Sequence, residues 1–449
     1  MFFKKIPLLL LFLSITALTK AQQQTQVQDS VLTLQQCVDI AIKNNLDVKK
    51  SETQMARDRI AWQQARANLL PNLNANSSYN ISYGRGTNTS GVTVSAAQTK
   101  FANFSLNSNF LLFNGLNAIN SIKQNSLAYQ AGKMDFQQVK DETTLNIIAL
   151  YFSVLNTEDQ LTQANLQFEA TKVNLERETT LNNAGSVAPA EYYNIKGAHS
   201  TDQINVYNAQ TAVLTAKINL LEAMNVPFKK DVKLQRLQAG QSPAIYTQQS
   251  DEIYSSALNS LAMVKAADLR VKAAEKEVLA AKGKYYPTLS FGYGYNTQYS
   301  NSFNGNTPPA SFSSQFRDNK SYGPSLNLSV PILNYFQTRN NVKLAKLDLI
   351  DAKDNNNFTQ VQLKQQIDQA HANMTNAYDR LQELNQQVAT YQAAYDATKV
   401  KFDAGVITSD LFILAKNNLD AANTNLINAR YDYLIRTKIL DYYQGKLAF

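Results

Sequence analysis

The sequence predicts a mixed fold in which long α-helices carry a small set of β-strands, with the whole arrangement built twice. Two proline-free segments of about 70 residues are each long enough for a helix of ~105 Å. Four shorter segments alternate apolar and polar residues, which is the period of an amphipathic strand. Matching anchors recur about 216 to 220 residues apart, for example Ala184-Gly185 and Ala404-Gly405, and this spacing indicates an internal duplication.

The first 21 residues, MFFKKIPLLLLFLSITALTKA, have the pattern of a signal peptide. A basic pair precedes an apolar run of about 13 residues, and small residues stand before the expected cleavage point. A membrane-spanning helix needs roughly 18 or more apolar residues, so this run is too short to be an anchor. We therefore expect residues 1–21 to be removed from an exported chain, and any membrane crossing by the rest to use strands.

The order of elements is the same in both halves. In the first repeat, residues 22–227, the pattern predicts a helix at 34–68, strands at 72–84 and 101–113, a helix from 114 to about 183, and another ending before Pro227. A connector at 228–250 leads to the second repeat, 251–449, with a helix at 251–284, strands at 288–299 and 321–333, a long helix at 335–403 and a final helix. Two helices of about 35 residues equal one of about 70 in length, so each half should supply one long rod and one composite rod.

The rods carry apolar seams. On the second long helix, Leu381, Leu384, Val388, Tyr391, Tyr395, Thr398 and Phe402 step by three and four, which is a heptad pattern. His199 occupies the seam position that Leu419 has in the second half, so we predict a structural histidine rather than a ligand or catalyst. Cys37, the only cysteine, is predicted to be buried and inert.

Each predicted strand has one apolar face and one almost uncharged polar face. The polar faces include Asn74, Asn80, Asn107, Asn296 and Asn327. The core of a β-sandwich is one interpretation of such strands. Their length of about 12 residues, which suffices to cross a bilayer at a tilt, and the tyrosines near their ends favour a barrel surrounded by lipid. We therefore expect these asparagines to face the lumen of an outer-membrane β-barrel.

Four strands cannot close a barrel around a lumen, because about eight is the smallest number that works. The prediction is therefore an outer-membrane β-barrel to which each protomer of an oligomer contributes four strands, continued by a long α-helical coiled coil. Long polar loops between the paired strands point away from the helices, as the outer loops of such barrels do.

Composition and motifs exclude several functions. The chain has 44% hydrophobic and 17% charged residues, so it should fold, and its scattered basic residues do not fit nucleic-acid binding. His199 and His371 lie on separate helices, and no nucleophile elbow or metal-ligand spacing occurs. We expect no enzyme activity, no metal and no cofactor. A non-conducting coiled-coil scaffold at the cell surface is an alternative, although it does not explain four strands of bilayer length.

Three segments stand out within the duplicated pattern: LTLQQCVDIAIKNNLDVKKSE, LNNAGSVAPAEYYNIK and KFDAGVITSDLFILAKNNLDAANTNLINARYDYL. In this order, and together with the two helix-strand-strand-helix-helix repeats, they resemble the TolC-like outer-membrane efflux proteins over essentially the whole mature chain. The resemblance implies a homotrimer with a twelve-stranded barrel in outer-membrane lipid and a helical tunnel through the periplasm. It also implies coupling to an inner-membrane pump through a periplasmic adaptor protein, in efflux or type I secretion. The sequence does not indicate the cargo.

The resemblance carries a set of positions over to the periplasmic entrance of the tunnel: Gly185, Glu191, Phe402, Gly405, Ile407 and Asp410. Gly185 and Gly405 match the glycines of the helix turns, and Glu191 matches the carboxylate that accepts the family's tyrosine and arginine lock. Phe402 and Ile407 stand where that tyrosine and arginine are expected, so neither can bond to Glu191 in the family's way. Asp410 stands near the position where the family is expected to have a ring of carboxylates. We predict that closure here is mainly apolar packing.

Overall fold

The computed structural model describes residues 31–87, 93–236, 246–301 and 309–446. Within these ranges the helices are α1 (Leu34–Asn44), α2 (Leu46–Ala67), α3 (Asn117–Asn183), α4 (Pro189–Ala223), α5 (Ser250–Ser260), α6 (Ala262–Gly283), α7 (Phe312–Asp318), α8 (Gln337–Asp403) and α9 (Ser409–Tyr443). The strands are β1 (Asn74–Thr87), β2 (Thr93–Phe113), β3 (Thr288–Ser300) and β4 (Ser321–Ser329). The segment predicted to be a signal peptide, 1–21, lies outside the described residues.

Two helices, α3 and α8, run for 67 residues each and are therefore about 100 Å long. Neither contains proline, so nothing interrupts the backbone hydrogen bonds along them. In the first half α3 packs beside α2 and α4, and in the second half α8 packs beside α6 and α9. Each long helix therefore lies beside the two shorter helices that the sequence predicted to form a composite rod. Within the described ranges, no helix combines the length and apolar content needed to cross a membrane.

The helix predicted at 34–68 is in fact two helices. The backbone at Asn45 leaves the helical region, with φ −58° and ψ 136°. Its side chain accepts hydrogen bonds from the N–H groups of Asp47 and Val48 at 2.8 and 3.3 Å, and so caps α2. Leu261, with φ −69° and ψ 135°, makes the matching break between α5 and α6. The hydrophobic period continues across both breaks, which is why it predicted a single helix in each half.

The strands form one antiparallel sheet in the order β1-β2-β3-β4, with β1 and β4 at its edges. Two predicted bounds require correction. β2 begins at Thr93 rather than 101, because β-branched residues of the expected loop extend its ladder with β1 as far as the pair Thr87 and Thr93. β4 ends at Ser329 rather than 333, because its partner strand β3 begins at Thr288, the residue opposite Ser329.

A buried core lies midway along the rods of the first half. It is formed by α1, α3, α4 and part of the predicted connector, from which Val232 and Leu234 are both buried. The Tyr151 hydroxyl donates a hydrogen bond to the Gln235 carbonyl oxygen at 2.6 Å, so the connector is held against α3. Cys37 is fully buried in this core, and burial raises the pKa of its thiol to about 12. A corresponding core in the second half joins α5, α8 and α9.

The sheet meets the helices through a close backbone contact between the two halves. Gly115 has φ +63°, and a Cβ there would lie 2.2 Å from the Gly283 carbonyl oxygen at the end of α6. Asn117 donates a side-chain hydrogen bond to the Ala280 carbonyl oxygen at 2.7 Å. The first-half junction is therefore seated on α6 of the second half.

Candidate functional site

The end of the helical part farthest from the sheet consists of two helix turns, 184–188 and 404–408, which we call the hairpin tip. Gly185 and Gly405 have φ of +68° and +69°, a conformation that residues with a Cβ rarely adopt. The N–H of Gly185 donates to the Asn182 carbonyl at 3.0 Å, and that of Ser186 donates to the Leu181 carbonyl at 2.9 Å. The second turn repeats both bonds, so each long helix ends in a Schellman motif.

An apolar cluster lies directly behind the hairpin tip. Its buried members are Ile195, Phe402 and Phe412, and Leu175, Tyr395, Ile407 and Ile413 pack against them; we call these residues the tip cluster. The ring of Phe402 stacks on that of Phe412, with 4.5 Å between centroids and 11° between planes. The members come from α3, α4, α8, α9 and the second turn. Phe402 and Ile407, which the resemblance predicted to replace a tyrosine and an arginine, both contribute apolar packing.

Arg177 of α3 adds a polar link over the tip cluster. Its guanidinium lies over the ring of Phe402, 5.4 Å from the centroid. The same group forms an ion pair with Asp403 at 2.9 Å and donates to the Asp403 carbonyl oxygen at 2.8 Å. One arginine thus ties α3 to the last turn of α8 by a cation–π contact, an ion pair and a backbone hydrogen bond. Arg177 was not identified from the sequence, because Asp403 stands 226 residues away.

Glu191 joins the two hairpins by a backbone hydrogen bond. It lies in the first turn of α4, and its Oε2 accepts from the N–H of Ser409 at 2.6 Å. Ser409 begins α9 and is fully buried, and its Oγ accepts a hydrogen bond from Asn194 at 3.2 Å. A carboxylate at this place satisfies an unpaired N–H of α9 and complements the positive end of its dipole. Glu191 is therefore a helix cap supplied by the neighbouring hairpin.

Two further carboxyl groups of the tip differ in environment. Glu178 of α3 is only 3% exposed, and burial raises the pKa of its carboxyl. Nearby Arg177 partly offsets this effect and Glu191 adds to it. Asp410 is exposed, and hydrogen bonds from the Thr408 side chain and from two N–H groups of the first turn of α9 lower its pKa. Asp410 was identified from the sequence. Glu178 was not identified, although it follows Leu175 of the tip cluster by about one helical turn.

A buried ion network lies farther from the tip; its members are Thr171, Asp202, Lys416 and Asp420. Lys416 is 4% exposed, and its Nζ lies 2.9 Å from Asp202 Oδ2 and 2.6 Å from Asp420 Oδ2. Thr171 donates a hydrogen bond to Asp202 at 3.0 Å. Burial raises the pKa of Asp420, and Lys416 counteracts this rise. The network therefore ties α3, α4 and α9 together, and each charge depends on its partners because it is removed from water.

The sequence contains one signal of this network. Lys416 stands on the apolar seam of α9, between Phe412 and Leu419, with Asp420 four residues later. A charged residue on a buried seam requires a partner of opposite charge. His199 lies beside the network, with its Nδ1 3.4 Å from Thr171 Oγ1 and its ring stacked on Phe168.

The strand register shows which residues share a face of the sheet. Directly opposite residues lie on one face, and Asn74 is opposite Asn107. Asn296 is opposite Ser105 and Asn327 is opposite Ser290, while Asn80 follows Asn74 by an even number of residues. The five asparagines predicted to line a lumen therefore share one face. The other face bears large exposed side chains: Leu106, Phe291, Tyr293, Tyr322, Leu326 and Leu328.

Neither histidine is part of a cluster of metal ligands. In the part of the chain that the structure describes, no group of three or more His, Cys, Asp or Glu side chains is arranged to hold a metal ion. His371 Nε2 lies 3.0 Å from the Gln248 carbonyl oxygen, and thus links α8 to the segment before α5.

Comparison with known proteins gives a family match over most of the chain. The model of the family described as outer membrane efflux protein matches residues 37–226 and 253–445. The two matched segments correspond to the two halves of the fold.

Individual relatives have low sequence identity to this chain but align with it over most of its length. Outer membrane protein TolC of Escherichia coli (strain K12) is 24% identical over 428 residues, which cover 90% of this chain and 80% of that protein. The alignment with TolC of Salmonella enteritidis, also at 24% identity, spans 71% of this chain and 64% of that protein. Toxin and drug export protein A of Aggregatibacter actinomycetemcomitans is 20% identical, over 89% of this chain and 83% of its own length.

Solved structures share the fold. CusC superposes with a TM-score of 0.78 at 17% identity, covering 92% of both chains. The outer membrane channel CmeC of Campylobacter jejuni gives 0.77 at 16% identity, over 92% of this chain and 85% of that one. VceC of Vibrio cholerae gives 0.75 at 14% identity, over 92% and 96%. The arrangement of a four-stranded sheet on long helical rods is thus that of barrel-and-tunnel channel proteins.

Proposed function

The chain belongs to the outer membrane efflux protein family, and on that premise we propose that it is the passive exit duct of a tripartite efflux or type I secretion assembly. It lies in the outer membrane, with its helical part in the periplasm. One observation supports the proposal most directly: the same chain contains an open amphipathic sheet tall enough to cross a bilayer and two helices about 100 Å long. The family is described by efflux rather than by a reaction, and we assign no catalytic role to His199 or His371.

We propose that lipid covers the apolar face of the sheet and water the polar face. The apolar face leaves Leu326 and Leu328 about two-thirds exposed in the single chain. The polar face carries the asparagines Asn74, Asn80, Asn107, Asn296 and Asn327, and we place them in the lumen. Gly292 and Gly294 also lie on the polar face. At Gly292 there is no room for a side chain, because a Cβ there would lie 2.6 Å from Ser325 Oγ.

The sheet itself argues for several copies in a ring. β2 of the first half pairs with β3 of the second half, whereas β4 and β1 present unpaired edges. Repeating the same contact between copies joins β4 of one to β1 of the next. Two copies would give eight strands, whose interior is filled by side chains, while three give twelve and leave room for a bore. We therefore propose a homotrimer.

The helices support the same symmetry. Within the chain α3 packs against α6 of the other half, and the Gly115 junction sits on the end of that helix. The equivalent junction of the second half, Tyr335 and Phe336, is 99% and 61% exposed. Exposed apolar side chains also mark α2 and α8: Leu46, Ile60, Leu344, Leu347, Ile350, Phe358 and Val361. The α2 helix of a neighbouring copy would cover this surface of α8 as α6 covers α3.

We propose that the hairpin tips close the tunnel at its periplasmic end. The tip cluster joins the α3–α4 hairpin to the α8–α9 hairpin through Phe402, and the Glu191 cap holds the same two hairpins. Three copies would bring Asp410, exposed at the start of α9, around the entrance. The glycine turns at Gly185 and Gly405 let each hairpin reverse without a loop that would obstruct it.

The partners of the duct follow from its position. A passive channel across the outer membrane needs an inner-membrane pump to drive transport, and a periplasmic adaptor to join the two. Exposed apolar side chains near the tip, Val400, Val406, Leu411 and Leu414, are suited to bind protein partners there. The pump selects the cargo in this proposal.

The test uses adjacent residues of β2 that point to opposite faces. Leu106 lies opposite Tyr295, near the middle of β3, and Asn107 lies on the polar face. Arginine on the lipid side costs about 2 to 4 kcal/mol at the bilayer midplane and less toward the interfaces, whereas a lumen position tolerates it. Leu106→Arg should therefore reduce the trimer recovered from outer membranes, while Asn107→Arg should assemble and shift the ion selectivity of single channels towards anions.

Planar-bilayer conductance of the purified wild-type protein is the accompanying measurement. Discrete channels are expected from the trimer. Equal effects of the two arginine substitutions would contradict the assignment of faces, and bilayers that stay sealed would favour the non-conducting scaffold.

A further inference from the structure

The short helix α7 follows β3 in the segment that leads to β4, yet it lies against the apolar face of the sheet. Phe312 and Phe316, one helical turn apart, pack edge-on against Phe104, with centroid distances of 6.3 and 5.2 Å. Phe312 also lies 5.2 Å from the ring of Tyr299. The register puts Phe104 and Tyr299 on the same face as Leu106. The helix therefore covers the side of the sheet assigned to lipid, not the side assigned to the bore.

Hydrogen bonds to β3 hold α7 in this place. Thr297 donates its hydroxyl to the Phe316 carbonyl oxygen at 2.7 Å. Gln315 donates to the Ser300 carbonyl oxygen at 2.8 Å and accepts from the Ser300 N–H at 3.0 Å. Beneath the helix, Thr297 is 1% exposed. The helix α7 is therefore held at a defined position by hydrogen bonds to both side-chain and backbone atoms of β3.

The height of α7 on the sheet is that of a membrane interface. Thr297 is nine residues along β3 from Thr288, where the strand leaves the helical part. At about 3.3 Å per residue and a tilt near 40°, this distance corresponds to roughly 23 Å along the barrel axis. The apolar band of such barrels is about 25 Å tall and is flanked by aromatic girdles. With the band taken to begin at Thr288, where β3 begins, the helix sits at its outer boundary.

The outward side of α7 combines aromatic and basic groups. Phe312 and Phe316 stay 49% and 37% exposed, and Tyr79, on the same face of β1, is 58% exposed. Arg317 follows Phe316 in the helix and Lys320 follows the end of the helix, and both are exposed. Arg317 forms an ion pair with the neighbouring Asp318, with 2.9 Å between Nε and Oδ1, so a lipid phosphate would share this guanidinium with Asp318. Aromatic rings at headgroup level and cations that reach phosphate groups are the typical anchors of a membrane interface. This composition fits a lipid surface that bears phosphate.

The position of α7 on the sheet indicates whether lipid or a second copy of the chain covers its exposed surface. Copies join at the edge strands β1 and β4 in the proposed trimer, whereas α7 contacts Phe104 of β2 and Tyr299 of β3. We propose that α7 is an interfacial anchor, with Phe312 and Phe316 against the outer-leaflet lipid and Arg317 and Lys320 on its phosphate groups. This inference rests on the proposed function, because it requires the sheet to form part of a membrane barrel.

Tryptophan quenching tests the anchor. The chain has one tryptophan, so Trp62→Phe gives a silent background for Phe312→Trp. The trimer is reconstituted into phosphatidylcholine vesicles whose acyl chains carry bromine, a quencher of tryptophan at short range. Because α7 would lie within the headgroup and acyl boundary, Phe312→Trp should be quenched to within about a factor of two of a Leu326→Trp control on the apolar face. Tyr193→Trp, exposed near the tip, should be unaffected.

The controls separate two kinds of failure. If Leu326→Trp is quenched and Phe312→Trp is not, the anchor is overturned and the proposed barrel stands. If Leu326→Trp is not quenched either, the assignment of the apolar face to lipid fails, and the proposed function fails with it.

A second arm tests the phosphate contacts. Adding lipid A should shift the emission of Phe312→Trp to the blue, because its phosphate groups carry net negative charge, whereas the phosphate of phosphatidylcholine is neutralised by its own choline. Inorganic phosphate should cause no shift. The double substitution Arg317→Gln with Lys320→Gln should abolish the shift. A shift that survives the double substitution would overturn the role of these two cations.

Discussion

Replacing Phe402 by alanine tests whether apolar packing closes the tunnel. Phe402 is 5% exposed and stacks on Phe412 within its own hairpin. It also belongs to the tip cluster with Ile195 and Leu175, and lies under Arg177, all from the other hairpin. If opening separates the two hairpins, only the second group of contacts is lost. The substitution should therefore weaken the closed state more than the folded protomer.

The magnitude follows from these contacts. Removing a buried phenylalanine side chain costs about 3 to 5 kcal/mol. We assign about 2 kcal/mol of this cost to the packing of Phe402 against Ile195, Leu175 and Arg177 of the other hairpin. A loss of about 2 kcal/mol from the closed state raises the ratio of open to closed channels about 30-fold. Glu191→Gln keeps an oxygen that can accept from Ser409 and loses only the charge at the helix end, about 0.5 to 1 kcal/mol. Its expected effect is about two- to fivefold.

Single-channel recording in planar bilayers measures the open probability of each variant. Val400→Ala is a matched control, because Val400 lies in the last turn of α8 but is 69% exposed. The control should behave like wild type. A larger increase for Glu191→Gln than for Phe402→Ala would refute closure by apolar packing.

Two further predictions concern charges of the helical part, and both are read from the thermal midpoint of the detergent-solubilised protein. Lys416→Ala should lower the free energy of unfolding by about 3 to 5 kcal/mol, because it leaves Asp202 and Asp420 buried without their cation. Lys399→Ala is the control: it breaks an exposed ion pair and should lower the free energy of unfolding by at most about 1 kcal/mol. Equal losses for the two variants would contradict the network. Burial raises the pKa of Glu178, so the folded protein binds this proton more tightly than the unfolded chain, and stability should fall as the pH rises from the ordinary carboxyl range through the raised pKa. Glu178→Gln should therefore be more stable than wild type at neutral pH, with the two midpoints converging in acid; a constant difference at every pH would contradict the raised pKa.

Much of the architecture is readable without the structure, because it depends on local periods. Alternation with a period of two marked all four strands, and the absence of proline over about 70 residues marked α3 and α8. The duplicated anchors indicate the two halves from the sequence alone. The predicted bounds that were wrong also depended on local features of the sequence. The asparagine cap at Asn45 interrupts a helix without interrupting its hydrophobic period, and β4 ends opposite the first residue of β3, before its alternation ends.

At the tip, the sequence identified residues but not their partners. It located Gly185, Glu191, Phe402, Gly405 and Asp410 through the family resemblance. It did not show that the Glu191 carboxylate caps α9, because Ser409 is 218 residues away.

The sequence by itself determined the elements of this protein: the rods, the amphipathic strands and their duplication follow from residue spacing within single segments. Only the tertiary structure decided which charges are buried together and which face of the sheet α7 covers. The pairing of Lys416 with Asp202 joins helices from different halves, and the seat of α7 joins Phe316 to both Phe104 and Thr297. The physical reason is that a period specifies which side of an element is apolar, whereas the neighbour that covers this side is selected by the packing of the whole chain.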